Sequence, residues 1–445
     1  MKRCMLLSNN KQNFYRAITM CILGALFYYY EYYLRVAPSA ITAELTNYYN
    51  ISIAELGHLV ACYSYAYVLV QIPVGIMMDR FGPRKMLTMA CLACAMGTYI
   101  FISSDSFLLG QLSRFMIGFG SAFAYVGVLK MATLWLPRQY FAVVVGICTS
   151  LGIAGGLSGT ILMTHLVDVF GWQQSLYYSA GIGILLSILL WIWIKEQDSV
   201  IVAATTTTTA TTRIRILPNL ITIIKIPTIW INGFIGCLTY IPISMFADMW
   251  AIPYFKTLGL DRNAAAWGAS LIYIGFGIGG PLWGIISSKL QSRRIPLITG
   301  AFCAAIIAII ILCSENMTLV NMQVLLFLLG LFSAAEILVF AVTNDIVTKN
   351  ISATALSFTN MIIMLSAAVL IPFVGMVLNY IGQEYFTLAL GIMPILLVIA
   401  GLLSIILKET YHNYPVTPNN PHLTRSRLRR AHPLPRSGEG NVDAI

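Results

Sequence analysis

Glu31, Arg114, Asp248 and Glu336 stand inside long apolar runs, with Arg35 four residues after Glu31. An ionisable group at bilayer depth is costly, so each of these implies a polar cavity or a partner. The i,i+4 spacing puts Glu31 and Arg35 on one helix face with the acid on the favourable N-terminal side. Two readings of that pair stay open: a self-compensated pair near the outer end of its span, with Arg35 snorkelling to the interface, or a pair that meets a solute. The neighbouring tyrosines fit either an interface belt or a cavity lining.

Arg114 lies about 9 Å into its span at 1.5 Å per residue, too deep for an interfacial charge. At helical spacing it shares a face with Gly118, Ser121 and Tyr125, a polar strip suited to a pore. Glu336 is central in its run and shares a face with Phe340 and Thr343. A carboxyl there changes charge readily when its solvation changes, which suits proton coupling. Asp248, nearer an outer end, is the second proton-coupling candidate, or else reaches interfacial water. Tyr63, Tyr67 and Gln71 are weaker candidates for a solute and read more readily as packing.

The elements that must hold these groups follow from composition. The 445 residues are 58% hydrophobic and 10% charged, with mean hydropathy +0.80, unlike any ordinary soluble domain. Apolar segments of about 20 residues, long enough for a hydrocarbon core about 30 Å thick, recur near 15–37, 53–78, 86–104, 108–134, 140–168, 174–194, 226–256, 264–288, 295–313, 319–348, 354–380 and 384–407. The sequence therefore predicts an all-α integral membrane protein of 12 transmembrane helices.

Lysine and arginine fall in alternate connections, among them Arg80, Arg84, Lys85, Lys289, Arg293 and Arg294, while Glu44, Asp105, Glu315 and Glu384 fall in the others. Lys256 and Arg262 are the basic exceptions on the acidic side. The positive-inside rule then puts both termini in the cytoplasm. The net charge of +10 is accounted for by that inner face and a basic tail, with the anionic inner leaflet as partner and no nucleic acid. The first apolar run is too long for a secretory signal and continues through Glu31 and Arg35, so it reads as a span. Cysteines buried in spans make neither a disulfide framework nor, at Cys91-x-x-Cys94, a metal site, and no cofactor is expected. No phosphate-binding G-x-x-x-x-G-K-[ST] sequence accompanies the spans, which disfavours a primary pump.

Residues 1–194 read as one six-helix bundle, 195–225 as a flexible cytoplasmic linker around a threonine-rich piece, 226–407 as a second bundle and 408–445 as a disordered basic tail. The bundles are pseudo-symmetric. Gly75-Ile-Met-Met-Asp79-Arg80-Phe-Gly82-Pro83-Arg84-Lys85 aligns without gaps with Gly284-Ile-Ile-Ser-Ser288-Lys289-Leu-Gln-Ser-Arg293-Arg294, and Pro73 and Pro281 hold nearly equivalent places. Gly82-Pro83 should stop the helix. Two repeats with a path between them are a transporter architecture.

The Gly75–Lys85 stretch resembles the loop 2–3 signature G-x-x-x-D-R-x-G-x-R-[KR] of the major facilitator superfamily, and Arg114-Phe-Met-Ile-Gly118-Phe-Gly120-Ser-Ala122 is similar to its span 4 signature. The glycines of span 5 resemble its pattern without the G-P pair often present there. Tyr30–Ser39 and Gln71–Gly75 look most like the phagosomal amino-acid and nutrient carriers of intracellular bacteria. The resemblance implies a non-enzymatic, monomeric carrier in the inner membrane, moving a small polar solute either coupled to protons or by facilitated diffusion. An amino acid is the leading expectation; a dipeptide or organic anion, drug export, and a non-transporting sensor or assembly partner are the alternatives. It also implies gating by Asp79, Arg80, Gly82 and Arg84, while the cost of burying charge makes Glu31, Arg35, Arg114, Tyr125 and Glu336 the candidates for solute contact.

Span 11 begins near Ser352-Ala-Thr354, where unpaired backbone donors attract an anion, and the resemblance sets Asp79 against them when the inner gate is shut. Asp79→Asn should slow transport and favour inward-open states. Transport assays combined with cysteine accessibility at the inner gate check this; no change in either would refute it.

Overall fold

The computed structural model describes the backbone of residues 2–136, 141–195, 216–314, 318–348 and 351–411. The threonine-rich piece and the tail from residue 412 lie outside the described residues. Helix is the regular structure throughout, as hydrocarbon requires: with no water to bond, each backbone donor must find an acceptor within its own segment.

Among the described residues twelve long helical segments cross the molecule, and all but the first are long and apolar enough to span a membrane. The first, α1, is Lys2–Val36 and begins well before the expected apolar run. The others are α2 Ile53–Phe81, α3 Pro83–Ser103, α4 Phe107–Trp135, α5 Gly146–Phe170, α6 Trp172–Trp193, α7 Pro227–Thr257, α8 Arg262–Leu290, α9 Arg294–Cys313, α10 Leu319–Ile346, α11 Thr354–Ile381 and α12 Gln383–Ile406. Helices α1–α6 form one bundle and α7–α12 the other, with α2 lying along α11 and α5 against α8 at the seam.

Local sequence explains the ends. Ser52 and Glu55 make a capping box that opens α2, the Glu55 amide donating to Ser52 Oγ at 3.3 Å and the Ser52 amide to Glu55 Oε2 at 2.8 Å, an arrangement that satisfies two orphan donors. At its other end the chain turns through Gly82 at φ +79° before Pro83 starts α3. A residue with a Cβ is strained there, so the glycine–proline pair does separate the two helices.

Several helices are irregular within their spans, α12 by a turn at Gly391. A turn at Ala122 and Phe123 divides α4; π-helical stretches occupy Ser158–Leu162 of α5 and Pro242–Trp250 of α7; a 3₁₀ turn at Ala334–Ile337 interrupts α10. Asp248 lies in the second of these π-helical stretches and Glu336 in the 3₁₀ turn. Such departures re-aim side chains by changing helical phase.

The repeat in the sequence is also a repeat in packing. A Cβ on Gly118 of α4 would strike the Tyr63 carbonyl of α2, and one on Gly330 of α10 would strike the Ile272 carbonyl of α8. Tyr63 and Ile272 each stand twelve residues before the glycine, Gly75 or Gly284, that opens the repeated sequence. Close approach through small residues is how helices associate where no hydrophobic force operates between them.

Two expected boundaries move. Ile216–Ile224, placed in the flexible linker, is a helix, and its Ile223 is buried against Ala355 and Phe358 of the second bundle. The amphipathic spacing of its isoleucines outweighs the polar composition before it. Residues 408–411, assigned to the tail, are anchored: the Glu409 carboxylate accepts from the Ser292 hydroxyl and from the Arg293 amide at 2.9 Å. Partial burial opposes its ionisation, but these donors and the amides of Tyr411 and Arg294 prevail and hold the carboxyl down at about 2.

The close contacts give a direct test. Gly118→Ala and Gly330→Ala should each destabilise the protein by about 1–3 kcal/mol or more through overpacking. Gly75→Ala and Gly284→Ala, where a Cβ meets nothing within 4 Å, should be neutral. Thermal unfolding in detergent distinguishes the pairs, and equal melting of all four variants would contradict the packing.

Candidate functional site

Asp248 is not at the interface with water. The π-helical stretch of α7 turns it inward, where it is 3% exposed and lies across the bundle seam from Arg35, itself 7% exposed. Arg35 Nη2 and Asp248 Oδ2 are 2.5 Å apart. The other carboxylate oxygen accepts from the Tyr273 hydroxyl of α8 at 2.6 Å. The Arg35 guanidinium also sits over the rings of Tyr32, at 4.9 Å, and Tyr240, at 5.9 Å, and the two tyrosine hydroxyls are 3.1 Å apart across the seam.

This corrects the pairing expected from spacing. Glu31 forms no ion pair with Arg35; its Oε2 accepts from the Tyr63 hydroxyl of α2 at 2.7 Å. Helical spacing brings the two side chains to one face but does not decide which partner each takes, and a buried aspartate on another helix outcompetes the local glutamate. Tyr63, read as packing, is thus a polar partner inside the site. Its signal was the strip Tyr63, Tyr67 and Gln71 at four-residue intervals, all buried.

Arg114 is 2% exposed, and its acceptors are backbone rather than carboxylate. Nη1 donates to the Leu34 carbonyl at 2.9 Å and Nη2 to the Arg35 carbonyl at 3.3 Å, with the Tyr63 ring 5.2 Å from the guanidinium carbon. Arg114 therefore meets no carboxylate in this conformation, Glu336 included. Nor does Arg114 share one straight helical face with Tyr125, because the break in α4 lies between them; Tyr125 packs on Tyr28 at 5.3 Å.

Glu336 is 3% exposed and makes no hydrogen bond or ion pair among the described residues. Tyr125 of the first bundle and Tyr240 of the second are near enough to feel its charge. Thr343, expected on its face, instead bonds Asn232 and Thr359 at 2.9 Å each, since the 3₁₀ turn shifts the phase between positions 336 and 343.

At the end of the molecule rich in basic residues, the side chain of Asp79 lies outside the described residues. Arg80 covers the Phe81 ring. Arg84 donates to the Trp191 carbonyl at 2.9 Å and lies over that indole, so it ties the loop to α6 of its own bundle.

The opposite end is closed. Gly57 of α2 meets Ile371, Pro372 and Gly375 of α11, Trp250 donates to the Ile371 carbonyl at 3.2 Å, and Thr160 and Ser270 pair at 2.8 Å between α5 and α8. Above them Arg262 of the second bundle bridges Glu44 and Asp168 of the first. The space left beside Arg35, Arg114 and Asp248 is about 10 Å³, room for no more than a water molecule. Toward the basic end, Gly146 of α5 and Gly284 of α8 have no neighbours within 4 Å of a Cβ.

Removing one member of a buried pair strands the other charge, at a cost of about 3–5 kcal/mol, whereas apolar replacement of both is often tolerated. Asp248→Leu should thus lower the melting temperature in detergent, and Arg35→Leu combined with Asp248→Leu should recover most of the loss. A double variant no more stable than the single one would argue against the pair.

Comparison with known proteins agrees with this architecture. The sequence profile described as Major Facilitator Superfamily matches residues 21–261 and 233–435. The probable galactarate/D-glucarate transporter GudP of Escherichia coli (strain K12) is 23% identical over 406 residues, 83% of this chain and 88% of that protein. The probable sulfoacetate transporter SauU of Cupriavidus necator is 25% identical over 178 residues, 40% of this chain and 41% of its own length; matches to several other carriers likewise cover about two fifths of those proteins. Among solved structures, a bacterial homologue of the human lysosomal transporter Spinster, in an inward-facing and occupied conformation, superposes with TM-score 0.70 at 16% identity, covering 87% of this chain and 96% of that one. By profile and by fold, this chain belongs to the Major Facilitator Superfamily.

Proposed function

We propose that the protein is a secondary carrier for a small carboxylate-bearing solute, moved by alternating access of the two bundles. The observation that carries this is the Arg35–Asp248 pair across the seam. A solute carboxylate entering beside it competes with Asp248 for the guanidinium, so binding and loosening of the seam become one event. Arg114 then holds the α1 backbone that carries Arg35 rather than binding the solute itself. Closure at one end, with glycines of α5 and α8 free at the other, fits a carrier whose outer gate is shut. On this reading the basic end, with both termini, faces the cytoplasm across the inner membrane, and the carrier works as a monomer.

The names of GudP and SauU favour an organic acid. Tyrosine hydroxyls at positions 32, 240 and 273 around the guanidinium suit a hydroxylated one. An amino acid, as in the phagosomal group, is the second reading, and Glu31 favours it, since its carboxylate can take an ammonium beside Arg35. Glu336 is the proposed proton-coupling group. It is buried in the 3₁₀ turn that interrupts α10, so its solvation changes if the bundles part there. Asp248, held by Arg35 in this conformation, acts as the switch.

Uptake by proteoliposomes of D-glucarate, sulfoacetate and alanine tests the substrate class. Arg35→Gln should weaken uptake of the transported acid at least about 30-fold, the equivalent of about 2 kcal/mol for a truncated buried pair. Glu336→Gln should abolish accumulation driven by an acid-outside gradient yet preserve exchange down the solute gradient. Wild-type uptake by Arg35→Gln, or accumulation that persists in Glu336→Gln, would refute the respective assignments.

A further inference from the structure

Lys256 and Arg262 are the basic residues that break the charge rule on the outer side. Arg262 is taken up by Glu44 and Asp168 at the seam. Lys256 forms no ion pair among the described residues and is exposed. It lies on the wall of a pocket of about 290 Å³, at the lower end of the range for small-molecule sites. The pocket borders the closed gate, with which it shares Trp250.

Both bundles build it. The short helix Thr42–Tyr49 after α1 contributes Thr42 and Thr46, one turn apart on one face. From the second bundle come Lys256 and Thr257 at the end of α7, and Gln383, which follows the turn at Gly382, φ +102°. The floor includes Trp250, whose indole N–H is occupied by the Ile371 carbonyl. Thr46 and Thr257 donate their hydroxyl protons to nearby backbone carbonyls, which leaves hydroxyl oxygens on the wall. The groups left to donate to an anion include the Lys256 ammonium and the Gln383 amide, above an apolar floor, while the Thr46 and Thr257 oxygens can only accept, as from the hydroxyl of a hydroxylated acid. Although the Glu44–Arg262–Asp168 group carries a net charge of about −1 nearby, each of its carboxylates directs one oxygen to Arg262, and Lys256 is the cation among the residues that line the pocket.

We propose that this pocket is a reception site for a small organic anion, in which Lys256 holds the acid group above the shut outer gate before the solute passes to Arg35. The idea rests on the carboxylate-carrier reading for its role but not for its existence, since anion binding at the pocket can be measured without transport. Steering by one lysine raises the local anion concentration and is weakened by salt.

The test introduces Gln383→Cys into full-length protein carrying Cys313→Ser, which removes an exposed thiol of α9. Labelling rates are compared for a sulfonate-bearing and a trimethylammonium-bearing methanethiosulfonate. The anionic reagent should react faster, by about threefold or more at low ionic strength, with the advantage lost in Lys256→Gln and kept in Lys256→Arg. Sulfoacetate or D-glucarate should slow labelling in the Lys256 protein and not in Lys256→Gln. In proteoliposomes Lys256→Gln should raise KM for uptake from the outer side severalfold with kcat unchanged. Equal labelling by the two reagents, or protection that survives Lys256→Gln, would overturn the proposal. Charge-selective labelling and protection without uptake of any acid would instead leave the site standing and overturn the carrier reading.

Discussion

The ion pair between Arg35 and Asp248 constrains the rest of the molecule. Two charges nearly shut off from water must be neutralised by each other, so the bundles cannot separate at that level unless something replaces one partner. The neighbouring features follow from this demand. Tyr273 donates to the carboxylate's free oxygen, Tyr32 and Tyr240 lay their rings against the guanidinium, and the π-helical stretch of α7 supplies the inward turn that brings Asp248 to the seam. The bridge is weak evidence for stability, because desolvation offsets its Coulomb attraction. Its value lies in being conditional: it holds one conformation and gives way to a ligand of the right charge.

The helical architecture was legible because it follows from one physical rule. Hydrocarbon admits few backbone solutions, so apolar runs of sufficient length announce themselves, and Gly82-Pro83 declares a helix end by backbone geometry alone. The repeated hinge sequence foretold a repeat in packing, visible in the matched approaches of Gly118 to Tyr63 and Gly330 to Ile272. The charged residues were legible as a set, since burial of charge requires a reason. Their partners were not. Pairing depends on where helix phase shifts, and a π-helical stretch or a 3₁₀ turn leaves almost no mark on composition. Extrapolating straight helical faces therefore joined Arg114 to Tyr125 and assigned Thr343 to Glu336, while position along the span alone left the inward turn of Asp248 unseen.

The two halves share a scaffold but not a charge pattern. The close glycine contacts occur in both, whereas Arg35, Glu31 and Arg114 belong to the first bundle, and Asp248 and Glu336 to the second. A symmetric frame lets either end open by a similar motion. An asymmetric set of charges means that the two bundles offer different chemistry to whatever lies between them. Cations and an acid stand on one wall and acids alone on the other, with tyrosine hydroxyls on both.

Arg114 has a consequence for how those walls can move. Its two guanidinium nitrogens donate to the carbonyls of Leu34 and Arg35, among the last acceptors of α1. In water such terminal carbonyls are solvated, but at membrane depth they need a donor from elsewhere. Arg114 is therefore a C-terminal cap supplied in trans: α4 decides where α1 is allowed to finish. The helix that carries Arg35 is riveted to its neighbour at the very residue that grips the other bundle, so a pull on that side chain is transmitted to the six-helix body instead of being lost as sliding of one helix past the next.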